Sequence, residues 1–402
     1  MTISTQPRVS DRVLNMEESA TIKMSQKARE LKAQGHQVIS LSLGEPDFDT
    51  PDYIKNAAIE ALKAGKTKYT PVPGILPLRE AIVDKFKNDN GLDYTPAQIV
   101  VSNGAKQSLA NACLALINPG DEAIILTPFW VSYIEIAKLA GAQPVLVSAG
   151  IDQDFKVTPD QLEAAITDRS RVVMFSSPSN PTGSVYTRDE LEGLAAVLRK
   201  YPDIIVISDE IYEHINFGQP HTSIGSLKDM AERTVTINGF SKGYAMTGWR
   251  LGYMGAPLWI AQACNKIQGQ TTSGANSFAQ EAAVIALRNK SDEMENMRLT
   301  FERRKELVSE KLREIPGIEV PNPTGAFYIF PNISSFFGKS DGTTTINDTE
   351  DFAEYLLTQA HVATVSGSAF GNDECIRISY AASEEQLTTA MDRIKEALGR
   401  LS

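Results

Sequence analysis

At 402 residues the chain is too long for a small disulfide-stapled module. At roughly 150 residues per domain it should divide into two or three domains. An apolar fraction of 42% beside a charged fraction of 22% is ordinary globular usage and excludes a disordered chain. Acids outnumber bases 50 to 39; the resulting charge of −11 favours solubility and argues against nucleic acid as a partner.

An N-terminal arm over about 1–45 is expected to pack with the C-terminal part of the chain. From 46 to 289 short apolar runs alternate with helical stretches. Gln98–Ser102 reads as a strand, Gly104–Ile117 as a helix stopped by Asn118-Pro119-Gly120, and Ala123–Leu126 as the next strand. A helix over about Val131–Leu139 follows, then strands at Val145–Val147, Val172–Phe175, Ile204–Ser208, Thr234–Ile237 and Leu251–Met254. Strands that are apolar on both faces and separated by helices predict a largely parallel α/β sheet, covered on both sides. In such sheets ligands sit beyond the carboxyl ends of the strands. From 290 to 402 the rhythm changes. A long charged helix at Ser291–Arg313 precedes Gly325–Phe330, a helix near Thr349–Gln359, the strand Cys375–Tyr380 and a helix near Glu384–Leu398. This part reads as a smaller α+β domain.

Cys113, Cys264 and Cys375 are odd in number, far apart and without a CxxC pair, which fits buried apolar thiols in a reducing cytosol. The four histidines show no metal-ligand spacing, so no metal site is expected. The N-terminus lacks an apolar signal core, and no run of about 18 apolar residues occurs. A cytoplasmic protein that neither spans a membrane nor is secreted is therefore expected.

The strand ends carry the chemistry. After the first strand, Asn103-Gly104-Ala105-Lys106 opens a helix whose free amides suit an anion, although any strand-to-helix turn has this form. After Val172–Phe175, Asn180 lies in the rigid turn Ser179-Asn180-Pro181-Thr182-Gly183, as a ligand contact or a turn former. Asp209 ends a buried strand, where an acid is costly unless it faces a positive partner or caps a helix, and Tyr212 follows. After Thr234–Ile237, Lys242 stands among small and apolar residues that would lower its pKa, as amine chemistry needs, and Arg250 suits a phosphate. Occurring in this order, a phosphate loop, an Asn, an Asp with a Tyr, and a Lys with an Arg are the equipment for pyridoxal 5′-phosphate.

The chain resembles the class I aminotransferases, the aspartate aminotransferase family of pyridoxal-phosphate enzymes. Gly239–Gly252 fits the family's lysine-attachment signature, and the likeness runs from Leu43-Gly44-Glu45-Pro46-Asp47-Phe48 to Arg377-Ile378-Ser379-Tyr380. The resemblance implies a pyridoxal-phosphate transferase fold. It implies that Lys242 forms the Schiff base and shuttles the proton, that Asp209 keeps the ring nitrogen protonated, and that Tyr212 and Asn180 bond the ring oxygen. It implies that Trp130 stacks on the ring and that Ala105, Lys106, Ser241 and Arg250 surround the phosphate. Tyr69 would reach the phosphate of the other subunit in a homodimer. Arg377 would clamp the substrate α-carboxylate, with Gly44 beside it.

Animal-type members bind a distal carboxylate through an arginine downstream of the lysine, but Gln268–Leu287 contains none. The chain looks more like the bacterial subgroup, in which Lys106 would take that carboxylate and Thr21 would lie near the substrate. The expected reaction is ping-pong transfer between L-aspartate and 2-oxoglutarate. A prephenate aminotransferase activity, alone or second, is the alternative, followed by an aromatic or alanine aminotransferase. About 40 residues precede Gly44, too few for the DNA-binding domain of a pyridoxal-phosphate-sensing regulator, and no GxGxxG follows a strand as a nicotinamide dehydrogenase would require.

Overall fold

A computed structural model describes residues 9–289 and 291–402; the first eight residues, part of the expected arm, and Lys290 lie outside them. The strands are β1 (Ile39–Ser40), β2 (Ile99–Ser102), β3 (Glu122–Thr127), β4 (Gln143–Ser148), β5 (Ser170–Ser176) and β6 (Ile205–Asp209). They continue as β7 (Thr234–Gly239), β8 (Gly252–Gly255), β9 (Tyr328–Ile329), β10 (Val362–Ala363), β11 (Val365–Ser366) and β12 (Ile376–Ser379). Seven of them form a central sheet in the order β2-β8-β7-β6-β5-β3-β4. Strands β3 to β7 pair in parallel, whereas β8 is antiparallel to both β2 and β7. Six strands therefore end at one edge of the sheet, and β8 begins there.

Alternation along each strand fills two cores. Ala123, Ile125, Val172, Met174, Ile205 and Ile207 face a cluster that includes Leu109, Ala112 and Leu116 of helix Ala105–Leu116 and Ile260, Ala261 and Cys264 of helix Leu258–Thr271. Ile124, Leu126, Val173, Phe175 and Val206 face the other side, against Leu191, Leu194 and Leu198 of helix Arg188–Leu198. Burying such a side chain contributes roughly 1.5–3 kcal/mol, so both faces must be covered, as the unbroken apolar runs of the strands require. At the β2–β8 end, Ile99, Val101, Leu251 and Tyr253 pack against helices Asp52–Lys63, Leu76–Lys85 and Ser277–Arg288. All three cysteines are buried and free. Burial pushes the Cys113 and Cys264 thiols up to about 12.

The C-terminal part builds the antiparallel sheet β11-β12-β9 under helices Glu293–Arg313 and Glu384–Leu398. The N-terminal segment joins it, because β1 pairs in parallel with β10 and Ala28 and Val38 share a cluster with Leu357 and Ala363. The Gly325–Phe330 run, to which the sequence assigns no element type, is strand at Tyr328–Ile329, while Ala326 adopts φ 55° and Gly325 bridges to Asn216. One expected element differs. The helix near Thr349–Gln359 is α-helical to Tyr355, widens to a π turn over Leu356–Ala360 and closes at left-handed His361. Among the described residues, no helix is long and apolar enough to cross a membrane. Ile211 and Tyr212, just past the end of β6, belong to the C-terminal core. The loops at the carboxyl edge thus lie where two cores meet.

Candidate active site

Those loops surround a cavity of about 380 Å³. Thr21, Gly44, Ala105, Lys106, Trp130, Asn180, Asp209, Tyr212, Ser241, Lys242, Arg250 and Arg377 all line it. Tyr69 does not; it is 99% exposed and is not part of that lining. The topology explains the convergence. Lys106, Trp130, Asn180, Asp209 and Lys242 sit at or just beyond the carboxyl ends of β2, β3, β5, β6 and β7. Arg250 reaches the same edge from the opposite direction because it precedes antiparallel β8.

Lys242 is part-buried, and its Nζ donates to the Gly44 carbonyl. Desolvation lowers its pKa to about 8, with the Arg377 and Arg250 charges acting in the same sense and Glu45 opposing. Asp209 is 6% exposed. Its carboxylate accepts from the Tyr133 hydroxyl at 2.7 Å and the Ile211 amide at 3.3 Å, and it forms no ion pair among the described residues. Burial raises it to about 6 against the pull of those two donors. A buried acid held by neutral donors alone lacks a cation.

Arg377 is 2% exposed, and its guanidinium donates to Asn180 Oδ1 at 2.9 Å and to the Ser42 carbonyl at 2.6 Å. Its Nε has no partner, and it pairs with no carboxylate among the described residues. The rings of Tyr328 and Phe370 lie 4.6 and 4.8 Å from the guanidinium carbon. Burial lowers its pKa. At the mouth, the Lys106 ammonium lies 4.8 Å from the Trp130 ring, and Thr21 stands on the facing N-terminal helix Ala20–Ala33.

These residues fit pyridoxal 5′-phosphate. The uncompensated carboxylate of Asp209 suits a protonated ring nitrogen. A Cβ on Gly104 would overlap the Arg250 guanidinium, and one on Gly252 would overlap the Ala105 backbone. Two glycines thus leave room for a helix N-terminus, an arginine and Ser241 to converge on a phosphate.

Three contributors escaped the sequence reading. Tyr133 orients Asp209 and meets Trp130 edge-on at 5.7 Å; it stands three residues after Trp130, in the first turn of helix Ser132–Ala140 that the same loop opens. Tyr328 bonds the Tyr212 hydroxyl at 2.8 Å from a distant strand. Ser42 holds Arg377 through its backbone carbonyl, which no side-chain motif reports.

Behind the pocket lies a buried polar cluster. The ligand atoms of Glu210, Glu213 and His221 lie within 4.8 Å of one another, a grouping that histidine spacing did not suggest. It has its own cation, because Lys85 pairs with Glu213 and donates to Asn90 at 2.5 Å. Burial pushes the Glu213 carboxyl up and the Lys85 ammonium more than offsets this, holding it well below the usual range.

The family model for aminotransferase class I and II matches residues 36–394. A bifunctional aspartate aminotransferase and glutamate/aspartate-prephenate aminotransferase of Petunia hybrida is 49% identical over 97% of this chain and 82% of that protein. An aspartate/prephenate aminotransferase of Cereibacter sphaeroides is 49% identical over 98% of this chain and 99% of its own. The crystal structure of an aspartate aminotransferase from Rhizobium meliloti superposes with a TM-score of 0.96 at 42% identity, covering 99% of this chain and 100% of that one.

Proposed function

The chain belongs to the class I and II aminotransferases, pyridoxal-phosphate enzymes that exchange amino groups between amino acids and 2-oxo acids, and from that premise we propose that it transfers the amino group of L-aspartate to 2-oxoglutarate by a ping-pong cycle centred on Lys242. The observation that carries this reading is that Arg377 and Lys106 line the same cavity as a lysine with a lowered pKa, and neither pairs with a carboxylate among the described residues. A substrate with two carboxylates answers both.

When bound, the cofactor supplies an aldehyde that links to amines and a pyridinium ring that accepts the electron pair left when the α-carbon loses its proton. The rest is the work of the chain. Lys242 Nζ, neutral for part of the time near pH 8, carries the cofactor and then moves the proton at the α-carbon. Asp209, held in place by Tyr133, keeps the ring nitrogen protonated. Asn180 gives its Oδ1 to Arg377, which leaves its Nδ2–H groups for the ring oxygen beside the Tyr212 hydroxyl. Trp130 would cover the ring face, and the amides of Ala105 and Lys106 at the helix start, with Ser241 and Arg250, would hold the phosphate, leaving the Lys106 ammonium free. Arg377 takes the α-carboxylate, Gly44 gives it room, and Lys106 takes the distal carboxylate with Thr21 nearby.

Prephenate as a second amino acceptor is favoured by the names of the Petunia and Cereibacter relatives. The protein works in the cytoplasm as a homodimer, in which fully exposed Tyr69 enters the neighbouring site at the phosphate. The chain divides into an arm at 1–45, a large cofactor-binding domain at 46–289 and a small domain at 290–402. Half-reaction absorbance spectroscopy with aspartate, glutamate, alanine and phenylalanine tests this reading. Aspartate and glutamate should convert the bound cofactor fastest. Borohydride reduction that leaves Lys242 unlabelled, or alanine outrunning aspartate, would overturn it.

A further inference from the structure

Tyr328 touches three parts of the pocket at once. Its hydroxyl lies 2.8 Å from that of Tyr212. Its ring lies 4.6 Å from the Arg377 guanidinium. A Cβ on Gly44 would overlap its hydroxyl, so the phenol lies against the backbone whose carbonyl accepts from Lys242. The side chain is 0% exposed, so these contacts are made in one fixed arrangement.

The placement follows from strand register. On β9 and β12, Tyr328 pairs with Ser379 and Ile329 with Ile378, which sets Arg377 on the diagonal from Tyr328 and on the same face. Phe370 also lies 4.8 Å from the guanidinium carbon, and the 2% exposure of Arg377 leaves it little freedom to swing. The two phenols hold two protons for one shared contact. If Tyr328 donates to Tyr212, the Tyr212 proton is released towards the cavity. A hydroxyl that accepts one hydrogen bond donates another more strongly, so the chain Tyr328 to Tyr212 to an anionic ligand oxygen is cooperative.

We propose that Tyr328 is a positioning residue with two separable parts: its hydroxyl strengthens Tyr212 as a donor to the cofactor ring oxygen, and its ring holds Arg377 in line for the substrate α-carboxylate. This deepens the aminotransferase reading and rests on the cofactor being linked to Lys242.

The test is the pH titration of visible absorbance of the loaded enzyme, with succinate as an unreactive dicarboxylate probe. The ring oxygen bears more negative charge once the linked Lys242 nitrogen has lost its proton, so a stronger donor lowers the midpoint. Tyr328→Phe keeps the ring and removes the hydroxyl. Its midpoint should rise by about 0.4–1 pH unit, the worth of one hydrogen bond, with succinate affinity held within about twofold. Tyr328→Leu should show the same midpoint shift and bind succinate at least about tenfold more weakly, as expected when a desolvated cation–π contact and its packing are lost. A Tyr328→Phe enzyme that titrates where the parent does overturns the role of the hydroxyl. A Tyr328→Leu enzyme that binds succinate as tightly as Tyr328→Phe overturns that of the ring. If Tyr328→Leu does not fold, Tyr328→Phe still decides, because weakened succinate binding in that variant also contradicts the division of labour. A parent enzyme without a Lys242-linked absorbance band would sink the aminotransferase reading itself, a separate result.

Discussion

Replacing Arg377 tests the site most directly. The side chain is buried with no carboxylate partner, and its N–H groups are only partly used, two of them on Asn180 Oδ1 and the Ser42 carbonyl. Nε–H has no acceptor at all. A guanidinium desolvated in this way is costly to the fold, and an α-carboxylate that accepts two of the remaining donors relieves the cost. Each charge-assisted hydrogen bond contributes about 1.5–3 kcal/mol, or roughly 3–6 kcal/mol for the pair. At about 1.4 kcal/mol per tenfold, kcat/KM for aspartate should fall about 10²–10⁴-fold. Arg377→Lys keeps the charge without the planar fork and should lie near the low end, and Arg377→Met near the high end. The assay is the single-turnover half-reaction with aspartate, set beside β-alanine, which is aspartate without its α-carboxylate. The slow β-alanine reaction should be nearly equal in parent and variants. Equal proportional losses on both amines would refute the clamp and make Arg377 a structural residue.

Asp209→Asn should retain bound cofactor and lose most transamination; near-parental turnover would remove its role. The same variant has a signature without cofactor. Unfolded, the carboxyl loses its proton near 3.8, but in the fold it keeps it to about 6. The folded state binds the extra proton, so stability falls as pH rises through that window, by about 3 kcal/mol. In urea unfolding the cofactor-free Asn variant should be more stable than the parent at pH 8, with the gap closing towards pH 4; equal stability at pH 8 contradicts the burial argument. Lys106→Ala should harm aspartate far more than alanine, and equal losses in kcat/KM would leave the distal carboxylate without a partner. Covalent loading of cofactor-free enzyme requires a neutral amine, so its rate should climb as pH passes about 8, where Lys242 titrates, instead of near the ordinary 10.5. A flat rate between about pH 7 and 9 would show that the amine is not the titrating group.

The legible part of the site came from local chemistry at strand ends. Asp209 and Lys242 were conspicuous because an acid and an amine directly after apolar runs have no cheap explanation. Trp130, Asn180 and Arg250 could be placed because each lies in a loop that the α/β rhythm sends to one edge. Tyr328 was not legible. It lies 116 residues from Tyr212, inside an apolar run where a tyrosine looks like any core residue, and its place beside Arg377 depends on an antiparallel register. The Lys85–Glu213–Asn90 network was equally hidden, since each member reads alone as a surface charge or a turn.

By itself, then, the order of residues determined the layering of helices on a sheet and that an acid and an amine stand directly after apolar strands at one edge. Those depend on periodicity and on the cost of burying charge, which act over a few residues. Only the tertiary structure decided that β8 runs backwards to deliver Arg250 and that Arg377 is left without a counter-ion. It alone seats a tyrosine from the second core between that arginine and Tyr212. Such facts depend on which distant segments share a wall, and desolvation and register are properties of the assembled wall.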